Sequence, residues 1–468
     1  GLDPANDVGS HEECVLTVYP MMFKEESLNR NGQTPNILFI MTDQQHAGMM
    51  SCTGNKWLGT PAMDRLARDG IRFEMAYATN PVCVASRTSM ATGVMSCRLG
   101  AGNNGPGMEI EQLPPEVHDN SMGKIMKCAG YDTFYGGKVH MCAPLAPENA
   151  GYDEYFRDDR EELPAACLQF MKKKRDKPFF AVASFINPHD ICFAHLARNG
   201  QDRHGVLALH KEASSLAMDE LPPLPDNYAI QQNEPAAIEA HLDPNAPTPA
   251  ITMRKEYDEK AWRINRWIYH RLTEKVDRHI GDILEGLQQA GLEEDTVVIF
   301  TSDHGNMDAS HRLASKGVFY EESVGVPLIL KHLGGVPGGR TDQAHLVSSG
   351  LDILPTICDY AGIKQPDHLL GVSLRPLVED RRVDDWRTYV ASENHWTRMI
   401  RSQQYKYCAY DHAYGNESLV DMENDPGEMQ NLVDDPKFQD VLTEHRRLLA
   451  DWSNLSEDND ASKYLKND

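Results

Sequence analysis

The sequence predicts an α/β protein whose central strands run parallel and are covered on both faces. Three observations predict it. Residues 36–41 (N-I-L-F-I-M), 178–186 (P-F-F-A-V-A-S-F-I) and 296–300 (T-V-V-I-F) are continuous apolar runs of strand length, the pattern of strands buried on two faces. Helical patterns separate them, the longest over residues 262–290, where Val276, Ile280, Ile283, Leu284 and Leu287 recur at helical spacing before Gly291. Each run also ends in polar residues: Thr42-Asp43-Gln44-Gln45-His46, Asn187-Pro188-His189-Asp190 and Thr301-Ser302-Asp303-His304-Gly305. The C-terminal ends of parallel strands are where α/β sheets place ligands.

Composition narrows the classes. The chain has 468 residues, 41% of them apolar, enough for a large core, and a net charge of −24. That charge argues against nucleic acid and anionic membrane surfaces as partners, although a local basic pocket can still take an anion. No run of 18 apolar residues exists to span a bilayer. The ten cysteines form no C-x-x-C pair, which leaves most of them as small buried residues.

In chain order, residues 1–34 show no sustained period and form an N-terminal extension of uncertain order. After the first strand, residues 60–70 form a helix, with Thr60 as N-cap, Pro61 at the first position and Gly70 as the stop. Residues 81–93 (P-V-C-V-A-S-R-T-S-M-A-T-G) place Cys83 at an exposed loop-to-helix junction, where free N–H groups favour an anion. Arg87 follows one turn on, on the same face. The glycine-rich run 100–107 lacks P-loop spacing and reads as a mobile surface loop. Residues 121–129 read as helix and 130–135 as a strand leading to Lys138 and His140, which share a face if that segment is extended.

Residues 191–250 show no clear period and read as an elaborated loop over the active face. The histidines at 189, 195, 204 and 210 match no zinc spacing. Residues 326–330 are a fourth strand and 349–361 a helix bent or started near Pro355. Beyond residue 378 the character changes: 387–392, 397–402 and 405–410 read as short antiparallel strands and 436–452 as a closing amphipathic helix. The division is therefore 1–34 extension, 35–378 catalytic domain and 379–468 C-terminal α+β subdomain.

The chemistry-bearing residues gather at the strand ends. A nucleophile, a fixed positive charge and a helix N-terminus point to chemistry on an oxyanion ester. Asp43-Gln44 and Asp303-His304, on separate strands, can hold a hard cation through oxygen ligands and an imidazole nitrogen. Arg87, Lys138 and Lys316 can surround ester oxygens where negative charge develops.

These residues stand in ordered blocks that closely resemble the sulfatase family of the alkaline-phosphatase superfamily. The nucleophile block is C-V-A-S-R followed by T-G at Thr92-Gly93. Around it stand P-N-I-L-F-I-M-T-D-Q, T-P-A-M-D-R-L-A-R-D-G-I-R-F, G-G-K-V-H, P-H at Pro188-His189 and T-S-D-H-G. K-G-V-F-Y-E-E-S-V-G-V-P-L-I-L and D-M-E-N-D-P-G-E-M-Q-N-L complete the set. The resemblance implies an alkaline-phosphatase-like fold with a large, mixed, mostly parallel sheet sandwiched by helices. It implies a sulfuric ester hydrolase acting on a sulfate ester, on a carbohydrate or another small molecule.

By the same resemblance, a formylglycine-generating enzyme oxidises Cys83 to formylglycine, whose hydrated aldehyde is the nucleophile. Asp43, Gln44, Asp303 and His304 bind one Ca2+ and Arg87 steadies the formylglycine. His140 serves as base. Lys138, His189 and Lys316 hold the sulfate, with His189 or Lys316 protonating the leaving oxygen.

The chain departs from the common family pattern at Gln44 and His304, where many members carry Asp and Asn, and at Ala85 in place of Pro. Two neutral ligands leave the metal open to Mn2+ or another divalent ion. They also keep a phosphodiesterase or phosphonate monoester hydrolase as the alternative activity. A non-catalytic binding protein that kept the fold is a third reading, and the intact nucleophile, metal set and lysine pair argue against it. A periplasmic or secreted enzyme fits a polysaccharide substrate, with a cytoplasmic one as the alternative.

Overall fold

Alternate side chains of the first strand enter two different cores. The computed structural model describes residues 34–104, 110–240, 242, 249–333, 337–413, 415 and 417–466. In chain order its first strands are β1 (Asn36–Asp43), β2 (Ile71–Phe73), β3 (Ala76–Tyr77), β4 (Asp132–Gly137) and β5 (Glu154–Phe156). There follow β6 (Phe179–Pro188), β7 (Thr296–Ser302), β8 (Leu328–Lys331), β9 (Arg340–Asp342) and β10 (Val347–Ser348). Eight of these form one sheet in the order β5-β4-β6-β1-β7-β8-β2-β9, with β3 and β10 paired apart.

Only β8 opposes its neighbours; β1, β4, β5, β6 and β7 pair in parallel. Because side chains alternate along a strand, Ile37, Phe39 and Met41 join Phe180, Val182, Val297 and Ile299 in one core. Leu38 and Ile40 join Ala181, Ala183, Val298 and Phe300 in the other. The helix Ser349–Tyr360, with Pro355 inside it, covers the first face. The helix Glu259–Gln289 and α1 (Pro61–Asp69) cover the second. The continuous apolar runs are thus sandwiched, as their sequence requires.

A second sheet follows, β11 (Tyr389–Glu393), β12 (Thr397–Ser402), β13 (Tyr405–Tyr410) and β14 (Glu417–Asp421), antiparallel throughout. Three of these strands are legible as expected; β14 is not, because Glu417-Ser418-Leu419-Val420-Asp421 is short and flanked by charge. The closing helix runs over Gln439–Leu455 and sends Leu442 and Leu449 onto this sheet.

Three expectations are corrected. Residues 191–240 are not simply loop: they carry the helices Ala194–Arg198, Val206–Ser215 and Ala236–Ala240. Each of the first two is short and buries few apolar residues, among them Ala197, Val206 and Ala213 against Trp267 and Ile268 of the long helix. Periodicity over so few turns is unreadable in sequence. Thr60 does not cap α1; its hydroxyl accepts from Ser51 N at 2.8 Å, and Asp277 of the long helix accepts from Ala62 N and Met63 N at 3.1 and 2.9 Å. Cys83 is not exposed but fully buried, as the first residue of α2 (Cys83–Thr92). The extension 1–34, apart from Thr34, and part of the glycine-rich run, residues 105–107, lie outside the described residues.

Candidate active site

The ends of four neighbouring parallel strands meet the start of α2. β1 delivers Asp43 and Gln44, β7 delivers Asp303 and His304, β4 delivers Lys138 and β6 delivers His189. The buried Arg87 crosses the floor. Its Nη2 donates to Asp43 Oδ2 at 3.0 Å, its Nε to Asp303 Oδ2 at 2.7 Å and its Nη1 to Ser184 Oγ at 2.7 Å. Lys138 Nζ donates to the same Asp43 oxygen. One guanidinium therefore ties both strand-end carboxylates to the helix that opens with Cys83.

Cys83 Sγ lies 3.1 Å from both His304 Nε2 and Lys316 Nζ, and 3.8 Å from Asp43 Oδ1. Lys316 Nζ also donates to Gln44 Oε1 at 2.8 Å. Burial and the Asp43 carboxylate push the Cys83 thiol up, but Lys138, Lys316 and His304 outweigh them and hold it well below its ordinary value. Burial also opposes ionisation of Asp43, yet Lys138, His189, Arg87 and Lys316 keep its carboxyl well below the usual range. Burial and the adjacent Asp43 push Asp303 up. His189 is pushed down to about 3, by burial first and then by Lys316, and its buried Nδ1 has no hydrogen-bond partner among the described residues. Its surroundings are cationic, and one of its ring nitrogens is unspent.

His140 stands apart. The strand stops at Gly137, whose φ is 95°, so Lys138 and His140 do not alternate on an extended segment; His140 is exposed at φ 41°.

The donor set fits a divalent cation. One ligand atom each from Asp43, Cys83, Asp303 and His304 lie within 4.8 Å of one another, all buried. His304 Nδ1–H donates to Gly305 O at 2.8 Å, which makes Nε2, the nitrogen beside Cys83 Sγ, the one a metal would take once it gives up its proton. Two carboxylates, an amide oxygen and one imidazole are ligands for a hard or borderline ion.

Sequence reasoning missed the residues that hold this set. Ser184 Oγ and Tyr135 Oη each donate to Lys138 O at 2.7 Å. Asn306 Oδ1 accepts Gln44 Nε2 at 3.2 Å, and Cys192 Sγ donates to Gln44 Oε1 at 3.3 Å. Tyr269, mid-helix, donates to Gln44 O at 2.6 Å. Only Asn306, three residues beyond Asp303, carried a positional signal.

The fold, with this polar cluster at the carboxyl end of its parallel strands, is that of a hydrolase of the alkaline-phosphatase-like class. Residues 35–363 match the family described as Sulfatase, and residues 309–454 match the N-sulphoglucosamine sulphohydrolase C-terminal family. The chain belongs to the sulfatase family, hydrolases of sulfate esters. It is 28% identical over 459 residues to a Delta 4,5-hexuronate-2-O-sulfatase of Bacteroides thetaiotaomicron, covering 91% of this chain and 90% of that one. It is 25% identical to an N-acetylglucosamine-6-O-sulfatase of the same organism, covering 91% and 87%. Among solved structures it is similar to a putative sulfatase from B. thetaiotaomicron, at a TM-score of 0.80 and 27% identity, covering 93% and 96%. A 2-O GAG sulfatase shares a TM-score of 0.80 at 26% identity, covering 93% and 95%. A phosphonate monoester hydrolase of Agrobacterium radiobacter, at 20% identity and a TM-score of 0.71, shares the fold.

Proposed function

We propose that this protein removes a sulfate ester from a carbohydrate, using a formylglycine made from Cys83 and one divalent cation. The observation that carries the reading is the position of Cys83 Sγ, 3.1 Å from Lys316 Nζ and His304 Nε2. Sγ marks the place of the oxygen nucleophile that formylglycine would supply as a hydrated aldehyde. A bound cation, Ca2+ being the family's ion, would draw charge from the sulfate oxygens; Asp43, Gln44, Asp303 and His304 would hold it.

The chain's own residues do the rest. Arg87 orients both carboxylates through its bonds to Asp43 and Asp303. Lys138 and Lys316 place ammonium groups where sulfate oxygens gain charge. The unspent Nδ1 of His189 meets the ester, and His189 or Lys316 returns a proton to the leaving oxygen. His140, on the surface turn after Lys138, is the remaining candidate for the base. The carbohydrate substrate is supported by relatives named for hexuronate and N-acetylglucosamine sulfates. We further propose that the catalytic domain ends near residue 378 and that the enzyme works outside the cytoplasm. The latter rests on the polymeric origin of such sugars. As a separate fact, among the described residues no helix is long and apolar enough to cross a membrane.

Two measurements test this. Mass spectrometry of the Cys83 peptide, from protein made alongside a formylglycine-generating enzyme, should show a loss of about 18 Da, the exchange of thiol for aldehyde. A panel of sulfated mono- and oligosaccharides, run beside phosphodiesters and phosphonate monoesters, should show turnover of a sulfated sugar. Cys83→Ala should lower kcat by about 10³-fold or more and keep the melting transition. Retained turnover in that variant, or preference for a phosphorus ester, overturns the reading.

A further inference from the structure

Lys316 reaches the reacting centre from a loop of unusual backbone. Asp308, Ala309, His311, Arg312 and Ser315 all have φ between 45° and 75°, and Gly317 follows at 94°. Side-chain-bearing residues avoid this region, so such a loop persists only where contacts over-determine it. Ahead of Lys316 those contacts are both internal, Ala309 N donating to Leu313 O at 3.0 Å and Met307 N to Ser315 O at 2.8 Å, and external, His311 N donating to Asn227 O at 2.8 Å and Arg254 Nη2 to His311 O at 3.2 Å. Behind Lys316 the chain passes into Gly317, the residue with most backbone freedom. There the tie comes from outside, from Asn394 Nδ2, which donates to Gly317 O at 2.8 Å.

Asn394 belongs to the turn between β11 and β12 and is itself locked. Its N donates to Thr397 O at 2.9 Å, its Oδ1 accepts Trp396 N at 2.9 Å and its carbonyl accepts Arg398 Nη1 at 2.5 Å. Arg398 in turn holds Asp458 through bonds of 2.6 and 2.9 Å. The preceding residue, Glu393, grips the other flank of the site: its N donates to Thr79 O and its Oε1 accepts Cys97 N, both at 2.8 Å. Thr79 and Cys97 bracket the segment that carries Cys83. One rigid hairpin thus spans the approach to the nucleophile and the exit from Lys316.

We propose that Asn394 is a positioning residue for Lys316. Its bond to the Gly317 carbonyl fixes the backbone that aims the ammonium, and this makes the C-terminal sheet part of the catalytic apparatus. The proposal rests on the role of Lys316 given above.

A double-mutant cycle tests it, using wild type, Asn394→Ala, Lys316→Ala and the double variant, each checked for Cys83 conversion and for its melting transition. The probes are 4-nitrophenyl sulfate, whose leaving group needs little help, and the sulfated sugar found in the panel, whose leaving alcohol needs a proton. Asn394→Ala should lower kcat on the sugar by about 10- to 100-fold, the scale of a 1 Å misplacement, with a smaller loss on the aryl sulfate. In the Lys316→Ala background it should cost nothing further. Asn394→Ser, which is too short to reach Gly317, should behave like the alanine variant and replaces it if that one does not fold. An equal loss on both substrates, the same loss without Lys316, or no loss overturns the positioning role while the sulfatase reading stands. A converted wild type that turns over neither substrate overturns both.

Discussion

Gln44 offers its amide oxygen from a left-handed backbone, φ 67°, a conformation that costs a non-glycine residue about 1–2 kcal/mol. Two bonds hold it, and a third fixes the hydroxyl that makes one of them. Gln44 N donates to Asp303 Oδ1 at 3.0 Å, its carbonyl accepts the Tyr269 hydroxyl at 2.6 Å, and His46 N donates to that same hydroxyl at 3.2 Å. The second and third belong to one oxygen on a buried ring. Tyr269→Phe should therefore lower the affinity for the proposed divalent cation, read with Ca2+ and Mn2+ in turn, by about 10- to 100-fold, as removal of groups that orient metal ligands does. Calorimetry on the metal-stripped protein reads this without turnover; an unchanged affinity would show that the turn holds itself. The same scale explains why Cys83 is buried. Arg87, one turn along, must neutralise two carboxylates at the sheet edge, and that contact draws the start of α2 inside.

Elements meet here through side chains that their own local sequence does not announce. The N-terminus of α1 is capped from the long helix by Asp277, whose carboxyl burial pushes up to about 6. At neutral pH it is ionised and accepts two helix N–H groups. Asp277→Ala should lower stability by about 1–3 kcal/mol, the cost of a lost cap and two unsatisfied donors. Denaturant unfolding measures this, and kcat per folded, converted enzyme should not change. Thr60 has the residue type of an N-cap, but Ser51 and Asp64 occupy its hydroxyl. Which acceptor reaches a helix end is a matter of distance between elements.

For the whole molecule, the clearest solution property concerns acid. His270 is buried, donates from Nδ1 to Arg266 O at 2.6 Å and faces Asn55 Nδ2 with Nε2 at 3.2 Å. Burial holds its pKa down to about 4, against 6.5 ordinarily. The folded state binds fewer protons than the unfolded chain between those values. The neutral ring's contribution is complete above pH 6.5 and is lost as pH falls toward 4, by about 3 kcal/mol at most. His332 is pushed down to about 4 as well, chiefly by burial, and adds to the same window. Melting temperature should fall steadily from pH 6.5 to 4, and His270→Gln should flatten the slope. A variant with an unchanged slope would refute the assignment. The net charge of −24 sits on a body whose buried cluster around Cys83 holds Arg87, Lys138 and Lys316. Overall charge governs what approaches the surface, whereas a buried cluster governs what is bound.

The sequence by itself determined the parallel core, through apolar runs too continuous for a one-sided sheet, and the polar strand ends that became Asp43, Gln44, His189, Asp303 and His304. It determined the Cys83–Arg87 pairing too, because helical spacing is local. Tertiary structure alone decided what those residues touch. The cap from Asp277, the Tyr269 hydroxyl under Gln44 and the Asn394 bond behind Lys316 all join positions far apart in the chain. No local period records such pairs. They exist because packing two cores around one sheet brings a helix face and a hairpin turn to its carboxyl edge, where buried polar groups must find partners.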